Sequence, residues 1–484
     1  MLGRNALPQL ASLYGIYLLW AALLASASSY LAAAVGLAKL TRILATAILV
    51  GSLLGALLSL LQPWLLIGFP ASYGGPLGQA NHFTSYIWLG LASVLYLRMT
   101  GSLSLRMFWA IVALLTFTAV LIGQRSSFLY ALILIGIVFW QTRRAGSAFR
   151  PDVRRLALGI ALLFVVLQPV TIFLPAFGIG ETKPPPVLRA TQQFSGPSIR
   201  LQLWRVGWEG IAVAPLMGQG IGTYPTLALA HADTIPAADN PGSAESAHNL
   251  FIDLAVDLGL PAALFVLLAS IVWLWRVLKI TMAAEGIWAL SVFSILGLHA
   301  LIEYPLAYSY FLALLAVVAG AFGGARQVGQ RLAPIALSLG LMVWGSLALA
   351  DLRRDYQLLE MSLELGKQPA TLRQARKALL SISSNTLLSP WVNTTACVSL
   401  DPLTVSVRDG LTVCGITMKF VPVAGIINQV VLQWRAGDIE GARTLLRKLK
   451  QITQHNPREV ETELEKFITR DSRIRELLDS PPKP

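Results

Sequence analysis

Charge is what this chain has least of. Only 13% of its 484 residues are Asp, Glu, Lys or Arg, where soluble domains carry about a quarter. The shortage is uneven, because residues 1–350 hold 29 charged side chains and residues 351–484 hold 34. That excludes a single soluble globule. It predicts a membrane domain over 1–350 followed by a soluble domain over 351–484. Nothing resembles a cleavable signal or an Arg-rich transit segment. There are only five histidines, and the spacing of His82, His231 and His248 matches no H-x₃₋₅-H or H-E-x-x-H pattern, so no metal and no cofactor is expected. The glycine run "GQGIG" (218–222) has no strand before it and no G-K-[ST] after it, which leaves a flexible turn rather than a phosphate loop. The absence of an internal repeat weighs against a transporter. The net charge of +13 calls for no nucleic acid, since cytoplasmic loops and lipid contacts account for it.

Long apolar runs are abundant. Hydrophobic residues make up 55% of the chain. A helix needs about 20 mostly apolar residues to cross the hydrocarbon core. Ten stretches qualify: 10–36, 41–61, 83–99, 105–122, 126–142, 155–175, 250–275, 285–302, 306–323 and 332–350. The fold class expected is therefore all-α and polytopic, with about ten transmembrane helices and a mainly helical C-terminal domain.

The connections alternate in charge. One set carries 13 basic residues, from Lys39 and Arg42 to Arg326 and Arg331, and the other carries five: Arg125, Lys183, Arg189, Arg200 and Arg205. The positive-inside rule makes the first set cytoplasmic. The second set, the large loop 176–249 and the tail after 350 then face outward. The same alternation puts residue 1 outside. Either the first span is misread, or an odd number of spans precedes it.

The outward connections collect the polar residues. "GFPASYGGPLGQANH" (68–82) brings Gln79, Asn81 and His82, "GQRSS" (123–127) brings Gln124 and Arg125, and "IEYP" (302–305) brings Glu303 and Tyr304. The large loop ends in "ESAHNLFIDLAVDLGLP" (245–261). Ser246, His248 and Asn249 suit a helix start there, where free N–H groups need acceptors. Arg125 lies between two apolar runs, and an ionisable group at membrane depth is functional by default. Arg200 and Arg205 belong to an amphipathic helix with Ile199, Leu203, Val206 and Ile211 on one face, placed on the membrane surface.

Outward-facing guanidinium groups at headgroup level suit a diphosphate, because their planar fork matches its oxygens. A nearby imidazole can give or take a proton near neutral pH. The chemistry expected is transfer of a group from a lipid diphosphate to a hydroxyl. Arg125 and Arg200 would hold the diphosphate, and His248 would orient or deprotonate the acceptor, or bind the diphosphate itself.

These residues carry a resemblance. "SAHNLFIDLAVDLGLPAALFVLL", "PLMGQGIGTYP" and "GQRSSFLYALI" resemble segments of the O-antigen ligase and polymerase superfamily, helical membrane glycosyltransferases related to the GT-C type. "GQANHFTSYIWLGLASVLYL" and "LHALIEYPLAYSYFLALL" are similar to the PglL-type protein O-oligosaccharyltransferases. The resemblance covers roughly residues 75–310. It implies transfer of preassembled oligosaccharide from undecaprenyl diphosphate to Ser or Thr of exported proteins, pilins among them, at the periplasmic face of the bacterial inner membrane. It also implies that His248 is the essential histidine and that Arg125 and Arg200 bind the donor. Gln79, Asn81, His82, Gln124, Glu303 and Tyr304 fall on polar positions of the narrower family. Ligation of O-antigen to lipid A-core, O-antigen polymerisation and transport of a lipid-linked glycan are the alternatives.

In the tail, "AGDIEGARTLLRKLKQITQHNP" (436–457) resembles a tetratricopeptide half-repeat. The only two cysteines, Cys397 and Cys414, lie 17 residues apart, and a periplasmic tail allows them a disulfide.

Overall fold

The computed structural model describes residues 8–65, 75–144, 152–170, 199–235, 240, 242–280, 284–323, 332–366, 369–382, 386–415, 421–453 and 456–478. Part of the loop 176–249 lies outside them, with Lys183 and Arg189, as do Arg150, Arg326 and Arg331. The described residues are helical and contain no strand. They fall into two compact units. The first spans Trp20–Gly196 and Leu267–Gln330; the second spans Met1–Leu19, Pro197–Val266 and Arg331–Pro484.

The first six helices are α1 (Pro8–Val35), α2 (Leu37–Leu65), α3 (Ala80–Met99), α4 (Leu105–Ile122), α5 (Ser126–Arg144) and α6 (Asp152–Val166). The first unit is built around α3, whose residues from His82 to Leu97 are nearly all buried. A helix apolar on every side needs neighbours on every side, and α3 packs against α2, α4, α5, α6 and α11 (Ala284–Ala300). Small residues set the close crossings. A Cβ on Gly90 would stand 2.6 Å from Ser52, and one on Gly320 of α12 (Ser309–Phe322) would stand 2.0 Å from the carbonyl of Ala25. Ser28 Oγ seals that second crossing by donating to Val317 O at 2.7 Å.

The second unit holds α7 (Ile199–Val213), α8 (Tyr224–Ala230) and α9 (Leu250–Leu258); of α10 (Leu260–Ile280) only Leu260–Val266 belongs to it. Here a sequence expectation is corrected. The span expected at 250–275 is broken at Gly259, which adopts φ +88°. Leu250–Leu258 is only nine residues, about 14 Å of helix, and does not reach across a bilayer. The helix long and apolar enough to cross is Leu260–Lys279.

Among the described residues, five helices are long and apolar enough to cross a membrane: Gln9–Val35, Leu37–Leu61, Leu105–Ile122, Ser126–Arg143 and Leu260–Lys279. Ala284–Ala300 and Ser309–Phe322 are shorter apolar helices. The stretches expected at 83–99 and 332–350 lie within α3 and α13 (Leu332–Gly366). The protein is a multi-pass helical membrane protein. Helix α13 runs without interruption through residue 350.

The tail continues with α14 (Leu372–Leu380), α15 (Ser389–Ser399), α16 (Val407–Cys414), α17 (Val423–Arg435), α18 (Ile439–Ile452) and α19 (Pro457–Ile468). Gly437 at φ +84° turns the chain between α17 and α18, and Asp438 caps α18 by accepting from Gly441 N at 3.0 Å. Cys397 and Cys414 are buried and joined by a disulfide. Ile427, Val430, Val431, Leu446, Leu449, Val460 and Leu464 form the tail's core with them.

Candidate functional site

In the second unit the site is built where the glycine run meets α9. Gln219 N donates to Val256 O at 2.6 Å, Gly220 N to Asp257 O at 3.1 Å, and Leu260 N to Pro215 O at 2.8 Å. Two glycines make this approach feasible. A Cβ on Gly218 would stand 2.5 Å from the Asp257 backbone, and one on Gly259 would stand 2.2 Å from Leu216 O. Both glycines also sit at positive φ, which other residues rarely adopt. So "PLMGQGIG" and "DLGLP" touch backbone to backbone and bring the two ends of the segment 219–257 together.

The histidine stands just before α9. Its helix start is capped by neighbours. Asn249 Oδ1 accepts from Phe251 N at 3.1 Å and Ile252 N at 3.3 Å, and Ser246 Oγ accepts from His248 N at 2.9 Å. The sequence left open whether His248 was itself a cap. The capping here falls to Asn249 and Ser246. His248 has φ +53°, and among the described residues it is the one non-glycine in the left-handed region. Such a conformation costs on the order of 1 kcal/mol and persists only where surrounding contacts impose it.

The carboxyl that bonds the backbone on both sides of His248 is Asp253, which sequence reasoning missed. Its Oδ1 accepts from Ala247 N at 2.6 Å, and the Asn249 N–H and Ser246 hydroxyl also bond the carboxyl. Burial pushes this carboxyl up from 3.8 to about 6, while the bonds from Ala247, the nearby His248, Asn249 and Ser246 pull it down. The available signal was an acid in the first turn, four residues past an Asn cap, where it faces free N–H groups.

Arg200 lies in the first turn of α7, partly buried. Leu203, Val206 and Ile211 of that helix are buried within a core that includes Ile252, Ala255 and Val256 of α9. A Cβ on Gly207 would stand 2.4 Å from Ile252. The apolar face expected on a lipid surface therefore meets protein, with Ile199 left exposed. Arg205 pairs with Glu209 at 3.3 Å, and His231 Nδ1 lies 2.7 Å from the same carboxylate.

In the first unit a second group of site residues gathers at the start of α3. Asn81 Nδ2 donates to Glu303 Oε1 at 2.8 Å, across 222 residues of sequence. Glu303 is buried. His82 Nδ1 lies 2.7 Å from Tyr310 Oη, and the His82 ring packs edge-on to Tyr308 at 4.4 Å. Tyr304 stacks on Tyr308 at 6.1 Å. Ser85 Oγ bridges Tyr130 Oη at 2.9 Å and His299 Nδ1 at 2.8 Å. Ser85, Tyr130, His299 and Tyr310 were not singled out from sequence as site residues. His299 is fully buried, and its Nε2 has no partner among the described residues. A buried, connected polar network is costly unless it is used.

Gln79 precedes α3 in extended backbone, with its Oε1 buried and without a partner among the described residues. Gln124 and Arg125 occupy the turn between α4 and α5, beyond the left-handed cap Gly123. Arg125 is exposed. Among the described residues, neither Gln124 nor Arg125 makes a side-chain hydrogen bond to the Asn81–Glu303 group. No three His, Cys, Asp or Glu side chains among the described residues form a group that could hold a metal ion.

Residues 110–267 match the family model described as O-Antigen ligase, and residues 287–454 match the one described as Virulence factor membrane-bound polymerase, C-terminal. A general O-oligosaccharyltransferase of Acinetobacter baylyi is 25% identical over 303 residues, which cover 61% of this chain and 52% of that protein. A ComP-specific O-oligosaccharyltransferase of the same organism is 24% identical over 249 residues, covering 50% and 43% respectively. The chain is similar to these O-oligosaccharyltransferases and, in two separate segments, to the O-antigen ligase and polymerase models. It spans about half the length of the curated relatives it matches. Arg125, Arg200 and His248 fall inside the O-Antigen ligase match, and Glu303 and Tyr304 inside the second match.

Proposed function

We propose that this O-oligosaccharyltransferase relative is a glycosyltransferase. It would move a preassembled oligosaccharide from undecaprenyl diphosphate to Ser or Thr hydroxyls of exported, pilin-like proteins at the periplasmic face of the inner membrane. The acceptor oxygen attacks the anomeric carbon as the bond from that carbon to the phosphate oxygen breaks. The hydroxyl proton leaves to a base, and undecaprenyl diphosphate departs with the negative charge. Arg125 and Arg200 hold that diphosphate and stabilise the charge gathering on it. His248 orients or deprotonates the acceptor, or contacts the diphosphate. The guanidinium groups supply the positive charge, so the reaction as proposed needs no metal. Asn81, His82, Glu303, Tyr304, Gln79 and Gln124 support the site.

The observation that carries this reading is the backbone of His248, left-handed between the bonds of an Asp253 clamp while Asn249 does the capping. A histidine kept only for fold stability has no need of that arrangement. The Cys397–Cys414 disulfide supports an oxidising compartment for the tail, hence a periplasmic active face. The match to the O-Antigen ligase model favours one second reading, transfer to a lipid A-core sugar.

The test mixes purified full chain, undecaprenyl-diphosphate-linked oligosaccharide and either a pilin-like protein or lipid A-core. A glycan mass added to the protein, lost in His248→Ala and Arg125→Ala, supports the proposal. Glycan found only on lipid A-core replaces it with the ligase reading. Transfer retained by Arg125→Ala removes the diphosphate role of that residue.

A further inference from the structure

The segment between the glycine run and His248 serves two cores. Tyr224, Ala228, Ile235, Ala244 and Ala247 pack with α7 and α9. Leu229 and Ala232 instead enter the tail's core beside Ile427, Leu446, Leu449 and Ile452. Ala232 is fully buried there.

The polar contacts repeat the division. Lys448 Nζ on α18 donates to Ala230 O at 2.6 Å and lies 3.6 Å from Asp233 Oδ1. One turn on, Gln451 Nε2 donates to Ile235 O at 2.7 Å. Asn240, buried, donates to Ala232 O at 3.2 Å, and its Oδ1 accepts from Gly242 N at 3.0 Å. Gly242 passes so close to α18 that an added Cβ would stand 3.3 Å from Ile452 O.

A loop lying on a surface would satisfy its carbonyls with water. These carbonyls are taken by side chains more than 200 positions later in the chain. Three residues past Gly242, the chain enters the Glu245–Asn249 stretch that carries His248.

We propose that Lys448 and Gln451 are positioning residues for the histidine. They fasten residues 230–235 to α18, and thereby set the path along which the chain enters the Asp253 clamp. The tail then serves the site by bracing the histidine loop, whether or not it also receives acceptor proteins. The fastening stands on the contacts above; its bearing on transfer rests on the function proposed above.

The test uses the full chain in detergent with Lys448→Met, Gln451→Leu and the pair combined, and with Lys448→Arg as the conservative control. Hydrogen–deuterium exchange is read on peptides within 224–247 and on tail peptides within 423–435 and 457–468. The combined variant is expected to exchange about tenfold faster in 224–247, with the tail peptides unchanged. Wild-type protection of 224–247 in that variant overturns the fastening. Loss of protection in the tail peptides as well shows only a broken tail, and also counts against it.

Transfer kinetics form the second arm. A displaced histidine lowers kcat on the order of tenfold or more while KM for the lipid donor stays near wild type, and Lys448→Arg restores kcat. An unchanged kcat with a loosened loop overturns the positioning role. If the wild-type chain transfers no glycan at all, the proposed function fails, and the exchange arm still decides the fastening.

Discussion

Replacing Asp253 with asparagine separates its charge from its shape. The carboxyl titrates near 3.8 in an unfolded chain and at about 6 in the fold, chiefly because burial disfavours the ion. Between those two values the folded protein holds more protons than the unfolded one. Its stability therefore falls as pH rises through that window, then levels off above about 6. The full displacement corresponds to about 3 kcal/mol, and about 2 kcal/mol after allowance for partial exposure. Asp253→Asn has the same size and does not titrate. Whatever constant offset separates the two proteins, wild type should lose about 2 kcal/mol relative to the variant from about pH 4 to about pH 7. Thermal unfolding of both proteins in the same detergent, at closely spaced pH values, measures this. Two curves that run parallel across the window would refute the reasoning, because the carboxyl would then titrate alike in folded and unfolded chains.

Other expectations follow from the same contacts. Gly218→Ala and Gly259→Ala force a Cβ into backbone atoms at 2.5 and 2.2 Å, so each should cost more than about 2 kcal/mol and deplete the monodisperse peak in size-exclusion chromatography. Gly78 also has positive φ but has nothing within 4 Å of an added Cβ; Gly78→Ala should cost about 1 kcal/mol and leave that peak intact. Cys397→Ser or Cys414→Ser should lower tail stability by about 3 kcal/mol, read as earlier proteolysis of 386–468. Glu303→Ala should weaken the first unit, since it strands half-buried Asn81 Nδ2, and a double-mutant cycle with Asn81→Ala should recover about 1–2 kcal/mol of coupling. Transfer should survive EDTA, and dependence on an added divalent ion would contradict the guanidinium-only donor site.

Helices were the most legible part of the fold, because uninterrupted apolar runs have few other solutions in lipid. The run at 250–275 misled because it is apolar on average, although Asp253 and Asp257 interrupt it before the break at Gly259. Gly259 looked like one small residue among many, and only the approach of Leu216 O shows why the helix stops there. His248 and Asn249 were readable from the local pattern. Asp253 was legible in principle but looked like part of a span. The pairing of Asn81 with Glu303 was not legible, since both were noted as polar oddities 222 residues apart and no local signal joins them. His299 was hidden for the opposite reason, because a lone histidine inside an apolar stretch carries no spacing pattern. The allegiance of Leu229 and Ala232 to the tail was equally invisible, since an apolar residue in a loop does not announce which core it fills.

That shared core limits how such a protein can be recombined with its relatives. Residues 219–257 begin and end near one another, so they look like an interchangeable cassette. Grafted alone, a foreign version would leave Leu446 and Leu449 with an ill-fitting neighbour, and would have to bring a backbone carbonyl to the same place before Lys448. A chimera that keeps working should carry the loop and helices α17 to α19 from the same parent.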